Sequence, residues 1–94
     1  MTPPAPPTAL EDLFEFPCDF PLKVIGKTVE GLAQAVLDIV LQHAPDFDPA
    51  GIELRSSRTG KYLSITCTLR AQSRAQLDAL YRALSAHPLV DLVL

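Results

Sequence analysis

The sequence predicts a two-layer α+β domain whose elements follow the order strand, helix, strand, strand, helix, strand. Between Phe20 and Leu94 the spacing of apolar residues switches between two and three to four in that order. A short polar connection containing a glycine, at residues 56–61, joins the two middle strands. A chain of 94 residues has room for one core of two layers, which excludes a second domain.

The first half of the folded region is predicted to contain one strand and one helix. Alternating apolar residues at 20–25 predict a strand with one buried face, which Gly26 ends. Thr28 is expected to cap the helix that follows, and Gly31 to weaken its first turn. The helix is expected to end at residues 43–45. Its predicted apolar stripe consists of Val29, Leu32, Ala33, Val36, Leu37, Ile39 and Val40.

Two strands and a second helix follow. Residues 52–55 alternate as a strand, and after the 56–61 hairpin the alternation of residues 63–70 is the clearest in the chain. Gly60 is available for a positive φ in that hairpin. Ser73 and Gln76 have the spacing of a capping box. The second helix has the apolar residues Leu77, Leu80, Tyr81 and Leu84, ends at His87-Pro88, and is followed by a last strand at 90–94.

This element order is the split βαβ pattern of the ferredoxin-like fold. Right-handed crossovers then leave one topology, a four-stranded antiparallel sheet of order 4-1-3-2 with both helices on one face. We expect residues 10–94 to form this domain. Residues 1–9 hold four prolines and are expected to be an extended, disordered tail. The segment from Leu10 to Phe16 is expected to pack as a short turn against the core.

Composition excludes several classes of protein. A net charge of −3 argues against a general nucleic-acid or acidic-membrane binder. The chain has no basic, apolar leader and no run of 18 apolar residues, so neither a signal peptide nor a membrane span is predicted, and a cytoplasmic location follows by default. In that compartment Cys18 and Cys67 are expected to stay reduced.

Several short motifs, spread from about Phe14 to Leu94, resemble the YbeD-like family of small bacterial proteins of unknown function. The motifs are Glu15-Phe16-Pro17, Lys23-Val24-Ile25-Gly26, His43-Ala44-Pro45, Ser56-Ser57 with Gly60 and Tyr62, Gln76-Leu77-Asp78 with Leu80-Tyr81, and His87-Pro88 followed by Val93-Leu94. The resemblance implies a ferredoxin-like fold similar to ACT-type regulatory domains. It also implies a genetic association with lipoate biosynthesis, but it carries no catalytic residues over.

No arrangement of residues predicts catalysis, a metal site or a cofactor. His43 and His87 end different helices and fall on opposite edges, roughly 20 Å apart, so they cannot act as a pair. Asp46 and Asp48 lack the further oxygen ligands of a calcium loop. Cys67 is expected to be a core residue. We therefore expect a protein that is not an enzyme.

Nucleic-acid binding is also not predicted. RNA-binding domains of this fold stack bases on aromatic residues of the open sheet face. The positions expected on that face lack aromatic side chains, and Glu53 and Asp91 share the face with Arg55 and Arg70. The expected open-face positions are Lys23, Ile25, Ser64, Thr66 and Thr68.

The candidate ligand site is the turn after the first strand together with the middle hairpin. Residues 51–94 carry six basic and three acidic side chains, against two and eight in residues 1–50, so an anion site should draw on the second half. Exposed N–H groups of the first helix and nearby cations would suit a carboxylate or a phosphate. The predicted ligand-binding residues are Gly26, Lys27, Thr28, Arg58 and Lys61.

Two functions follow from these observations. The first is a small ACT-like regulatory protein that senses an anionic metabolite at the predicted site. The second is an adaptor or accessory factor, linked to lipoate metabolism through the resemblance, that binds a protein through a sheet edge, the open sheet face or the acidic segment 11–19. Ferredoxin-like sheets also pair through an edge strand, and either the last strand or residues 52–55 could form a homodimer.

Overall fold

The computed structural model describes residues 15–94 and has the predicted element order. The elements are β1 (Cys18–Lys27), α1 (Leu32–His43), a 3-10 turn (Pro49–Gly51), β2 (Glu53–Ser56), β3 (Tyr62–Ala71), α2 (Arg74–Ser85) and β4 (Leu92–Val93). The tail predicted at residues 1–9 lies outside the described residues, as does the segment from Leu10 up to residue 14. None of the helices in residues 15–94 is long and apolar enough to cross a membrane.

The four strands form one antiparallel sheet of order β2-β3-β1-β4. This is the predicted order 4-1-3-2 counted from the opposite edge. β1 and β3 pair along ten residues, from Cys18 opposite Ala71 to Lys27 opposite Tyr62. β2 and β4 are the outer strands and are much shorter, with four and two residues.

The core lies between the helices and one face of the sheet. Alternate residues of β1 and β3 face the helices, as a strand with one buried face requires. The buried side chains of α1 and α2 belong to the same cluster, so both helices cover the same face, as predicted. The largest fully buried side chains are Leu32, Ile65, Leu69, Leu80, Leu84, Val24, Val36, Val40 and Cys67.

The start of α1 differs from the prediction. The helix begins at Leu32, and Gly31 precedes it with φ of 92°, so this glycine does not weaken a helical turn. No side chain caps the helix, so the capping role predicted for Thr28 is wrong. Val29 lies outside the helix and is 45% exposed, because residues 28–31 form a link rather than a first turn.

The capping box of α2 is confirmed in part. The Ser73 Oγ accepts a hydrogen bond from the Gln76 N–H at 3.1 Å. The side chain of Gln76 reaches one residue further back than expected, because its Oε1 accepts from the Gln72 N–H at 2.6 Å. Its Nε2 donates to the carbonyl of His43 at 2.8 Å. Gln76 therefore ties the end of α1 to the beginning of α2.

Two apolar side chains of the predicted strand and helix patterns are exposed. The fully buried residues of α2 are Leu80 and Leu84, which form a narrow stripe. Tyr81 lies outside this stripe and is 51% exposed. Leu54 is 53% exposed on the outermost strand, even though it lies opposite the buried Ile65. Every residue of β2 is exposed.

Both cysteines are free thiols. Cys67 is fully buried in the core, as predicted, and burial raises the pKa of its thiol to about 11. Cys18 is the first residue of β1 rather than a residue before the strand, and it is half-buried. Cys67 lies opposite Leu22, which is four residues along β1 from Cys18, so the two cysteines are not opposite each other.

Candidate functional site

The five residues of the predicted anion site lie at one end of the sheet but on different sides of it. Gly26 is buried on the helix-facing side, where Leu32 and the carbonyl of Leu89 occupy the space that a side chain would take. Lys27 is exposed, and its place in the alternation of β1 puts it on the open face, opposite Tyr62. Gly26 is therefore a packing residue and has no surface to offer a ligand.

The hairpin keeps its predicted place beside the end of β1. The Thr28 N–H donates to the carbonyl of Lys61 at 2.9 Å, which joins the two segments. Within the hairpin the Gly60 N–H donates to the carbonyl of Ser57 at 2.9 Å, and Gly60 has the predicted positive φ, at 76°. Arg58 lies in the turn and is exposed, as is Lys61.

The first helix does not complete this site. Its N-terminal residue, Leu32, follows Thr28 by four positions, and its N–H donates to the carbonyl of Val29 at 3.3 Å. The electrostatic contribution of a helix end falls off within its first turn. The predicted combination of helix N–H groups with the cations of the hairpin is therefore not present in this geometry.

The open face of the sheet brings together a different set of residues. In one row across the strands, Leu92, Ile25, Ser64 and Arg55 lie side by side in register. In the next row toward the hairpin Lys27 lies opposite Tyr62. Neighbouring rows are two residues apart, roughly 7 Å, and neighbouring strands are about 4.8 Å apart. These side chains therefore share one small area, which we call the hairpin-side patch: Ile25, Lys27, Arg55, Tyr62, Ser64 and Leu92.

The hairpin-side patch contains a shallow depression of about 330 Å³ that is open to solvent. It is lined by Ile25, Arg55, Ser56, Ser57, Tyr62 and Ser64. A second open depression of about 580 Å³ adjoins it and is lined by Lys23, Glu53, Thr66 and neighbouring residues. Both depressions share Arg55 and Ser64, so they lie side by side on the open face, and we call the two together the groove.

Unpaired cations distinguish this half of the open face. The ion pairs within residues 15–94 are Arg70 with Asp19 and Arg74 with Asp78, each at 3.3 Å. Arg70 and Asp19 neutralise each other at the far end of the open face. Lys23, Lys27 and Arg55 have no such partner among the described residues. The hairpin-side patch is therefore basic, with Lys27 and Arg55, whereas Lys23 lies in the same row of the sheet as Glu53.

Sequence reasoning missed Tyr62 as an open-face residue. The prediction ended β1 at Gly26 and listed Ser64 as the first open-face position of β3, whereas the pairing continues to Lys27 opposite Tyr62. Tyr62 is 40% exposed, so one aromatic side chain does lie on this face. The alternation of β3, extended two residues back from Ser64, was the signal that could have found it.

The remaining candidate residues form turns. The Asp48 Oδ1 accepts from the Ala50 N–H at 3.0 Å, which starts the 3-10 turn. The His87 Nδ1 accepts from the Leu89 N–H at 3.1 Å in the turn after α2. Residues 15–94 contain no group of three or more His, Cys, Asp or Glu side chains that could hold a metal ion.

Comparison with known proteins matches nearly the whole chain to one family of bacterial proteins. Residues 11–94 match the profile of a family described as a protein of unknown function, DUF493. The UPF0250 protein NE1487 of Nitrosomonas europaea is 57% identical over 84 residues, covering 89% of this chain and 97% of the relative. A UPF0250 protein of Bordetella pertussis is 55% identical, covering 89% and 92% of the two chains. The UPF0250 protein RSc0326 of Ralstonia nicotianae is 50% identical and covers 99% and 94%.

A solved structure shares the fold. The solution structure of protein HP0495 from H. pylori superposes with a TM-score of 0.70 and covers 86% of this chain and 85% of its own. Its sequence identity is 16%, so this likeness supports the architecture alone. The YbeD-like resemblance expected from the motifs is confirmed, and the chain belongs to the DUF493 (UPF0250) family of proteins of unknown function.

Proposed function

We propose that this protein is a non-enzymatic adaptor that binds an acidic, partly apolar segment of another protein on the open face of its sheet. The observation that supports this most directly is the groove on that face. Together with the hairpin-side patch around it, the groove presents the exposed side chains of Tyr62 and Leu92 and three cations that have no ion-pair partner among residues 15–94. The three cations are Lys23, Lys27 and Arg55.

The shape of the groove favours a chain segment over a small molecule. Pockets for small ligands are concave and cover most of the ligand surface. Both depressions of the groove are open to solvent, so a small ligand would keep much of its surface in water. An extended segment can lie across several strands and cover Ile25, Tyr62 and Leu92 together. Each covered aromatic or aliphatic side chain then contributes through removal of apolar surface from water.

The charge of the groove favours an acidic partner. Carboxylates on the segment would face Lys23 and Lys27, which lie on either side of Ile25 on the central strand β1. Among the described residues the open face has one aromatic side chain, Tyr62, and it also carries Glu53, so it is a poor platform for stacked bases. Nucleic acid is therefore not the ligand that we propose.

The test measures binding of the full-length protein to peptides by fluorescence anisotropy. One peptide library alternates Glu or Asp with Leu, Phe or Tyr, and a matched library carries Lys at the acidic positions. We expect binding to the acidic library alone. The variant Lys23→Glu/Lys27→Glu should weaken it about tenfold or more, since two exposed charge pairs become repulsive. Tyr62→Ser should also weaken it, through loss of apolar contact.

The matched control is Arg82→Glu, which reverses an exposed charge on α2, on the other side of the molecule. It should leave peptide affinity unchanged. The same variants identify the cellular partner, which should co-purify with the wild-type and Arg82→Glu proteins and be lost from Lys23→Glu/Lys27→Glu. Equal binding of acidic and basic libraries, or equal loss in both variants, would contradict the proposal.

A second candidate function is sensing of a small anionic metabolite. It is favoured by Lys27, Arg58 and Lys61, which lie around one hairpin and have no ion-pair partner among the described residues. A thermal-shift screen tests it with amino acids, lipoate, octanoate, nucleotides and phosphorylated metabolites. A ligand at a hundred times its dissociation constant adds about 2.7 kcal/mol of stability. A shift that disappears in Arg58→Glu would favour the sensor, and a screen without shifts would favour the adaptor.

A further inference from the structure

We infer that β2 forms the contact of a symmetric homodimer, in which the β2 strands of two copies pair antiparallel and join their sheets. β2 is an outer strand of the sheet, and all four of its residues are exposed. An outer strand presents unpaired backbone N–H and C=O groups, which are a template for pairing with another strand. This inference shares Arg55 and Glu53 with the groove proposed above. In the dimer Arg55 faces Glu53 of the other copy, so Lys23 and Lys27 are the cations left for an acidic segment.

The hydrogen bonds of the hairpin show which groups of β2 face outward. The Ser57 N–H donates to the carbonyl of Tyr62 at 2.8 Å, so Ser57 faces β3. Alternate residues of an antiparallel strand bond to the same neighbour. Arg55 and Glu53 therefore also bond toward β3, whereas the N–H and C=O of Leu54 and Ser56 point away from the sheet.

The charges of β2 select one register for a two-fold pairing. With Leu54 on the axis, the two copies of Leu54 exchange both backbone hydrogen bonds. Glu53 of each copy then lies opposite Arg55 of the other, and both pairs fall on the open face. An axis at Glu53 or at Arg55 would instead place two identical charges opposite each other, which is unfavourable. Neither Glu53 nor Arg55 is in one of the ion pairs of residues 15–94.

The side chain of Leu54 supports the same register. It lies on the helix-facing side of the sheet, opposite Ile65, yet it is 53% exposed. In the symmetric pairing each Leu54 covers the other, which removes exposed apolar surface from both copies. The contact is isologous, so it closes as a dimer and does not propagate into a filament.

The opposite edge of the sheet is protected against pairing. β4 has two residues, so it covers β1 for a short distance. Lys23 exchanges backbone hydrogen bonds with Leu94 on that side, and Pro21, two residues earlier, therefore faces the same edge. Proline has no N–H to donate, which is a common device for preventing edge pairing. β2 has no such residue.

Charge reversal tests the register through the dimer dissociation constant, measured on the full-length protein by sedimentation from micromolar to millimolar concentration. Glu53→Arg and Arg55→Glu should each raise the dissociation constant about tenfold or more, because both symmetric pairs become repulsive. The double variant Glu53→Arg/Arg55→Glu restores opposite charges and should return it close to the wild-type value. Thermal unfolding of each variant checks that the domain is intact.

A cysteine at the axis gives a second test that does not depend on charge. Residues opposite each other in a hydrogen-bonded antiparallel pair have Cα atoms about 5.5 Å apart, within the range that a disulfide spans. In a Cys18→Ser background, Leu54→Cys should cross-link to its own copy under mild oxidation. Ser56→Cys should not, because the two copies of residue 56 would be roughly 13 Å apart along the strands.

The inference is overturned by a monomeric wild-type protein at millimolar concentration, by a double variant that stays as weak as the single ones, or by equal cross-linking at positions 54 and 56. If the wild type is monomeric but β2 variants lose a different protein, the edge binds another chain and the homodimer is wrong. The peptide test of the adaptor function uses Lys23, Lys27 and Tyr62 instead, so failure of one proposal is distinguishable from failure of the other.

Discussion

The backbone carbonyl of Leu89 lies against Gly26, in the space that a side chain at position 26 would occupy. Two methyl groups of Leu32 close the same space from the side of α1, at 3.0 and 3.1 Å from the position of a Cβ. This contact joins β1, the beginning of α1 and the turn before β4. It explains why a buried glycine stands near the end of the central strand β1, where its lack of a side chain would otherwise weaken the strand.

Gly26→Ala should therefore lower the free energy of unfolding by about 1–3 kcal/mol, through overpacking against backbone that cannot move aside freely. Gly26→Val should have a larger effect. Urea unfolding followed by circular dichroism measures both. Gly51→Ala is the matched control, because no atom lies within 4 Å of its added Cβ, and it should change stability by no more than about 0.5 kcal/mol. Equal effects at the two positions would contradict this account of Gly26.

The role of Gly26 shows where prediction from sequence ended. The alternation of β3 and the stripe of α1 are local patterns, so they were sufficient for the strands, the helices and, through crossover handedness, the sheet order. The contact between Gly26 and Leu89 joins residues 63 positions apart, and no local pattern reports it. A glycine after a strand was therefore interpreted as a turn and as a ligand-binding position, whereas it is a packing residue inside β1.

The part of the candidate site that depends on neighbouring residues in the sequence was predictable, and the part that depends on distant residues was not. The hairpin and its positive-φ glycine follow from residues adjacent in sequence, and Lys27, Arg58 and Lys61 are found near it. The depression on the open face depends on the register of three strands, which sets Arg55 beside Ser64 and Ile25. Because a change of one residue in register moves every side chain to the other face, composition alone could not locate it.

Gln76 gives a second prediction, on the joint between the two helices. Gln76→Ala removes the hydrogen bonds to the carbonyl of His43 and to the N–H of Gln72, and should lower stability by about 1–2 kcal/mol. Gln76→Glu keeps the acceptor for Gln72 but has no donor for His43, so it should also destabilise near neutral pH. Chemical unfolding of both variants measures the effect.

The control for this joint is Gln34→Ala. Gln34 donates to Asp38 at 2.8 Å on the exposed surface of α1, and a pair of this kind contributes a few tenths of a kcal/mol, about 0.2–0.5. A loss at Gln76 no greater than the loss at Gln34 would show that the link to His43 does not stabilise the domain. A Gln76→Glu variant as stable as the wild type would show that the hydrogen bond donated to the His43 carbonyl does not stabilise the domain.

Gly60 gives a prediction for the hairpin. Its φ of 76° lies in the left-handed region, and a side chain there costs about 1–2 kcal/mol. Gly60→Ala should lower the free energy of unfolding by about that amount, and Gly60→Asn by less, because asparagine tolerates this conformation better. Thr59→Ala, one residue earlier and exposed, should have little effect. Thermal denaturation distinguishes the three variants. A Gly60→Asn variant less stable than Gly60→Ala would contradict the backbone explanation.

Cys67 gives a pH-dependent prediction. Its thiol is fully buried beneath the helices, and burial raises its pKa from 9.0 to about 11. The folded state therefore favours the neutral thiol, and this contribution is fully present below pH 9 and is lost as the pH rises toward 11. A shift of this size corresponds to about 2–3 kcal/mol at most.

Wild-type stability should therefore fall between about pH 9 and pH 11 by more than that of Cys67→Ala, which has no ionisable group at this position. The variant also removes buried atoms and is less stable at every pH, so the difference in slope is the quantity that matters. Lysine and tyrosine titrations are common to both proteins and cancel in this comparison. Parallel pH profiles would mean that the Cys67 thiol ionises as readily in the folded chain as in the unfolded one. A thiol reagent at neutral pH gives an independent check, because it should modify Cys18 rapidly and reach Cys67 at the rate at which the core opens.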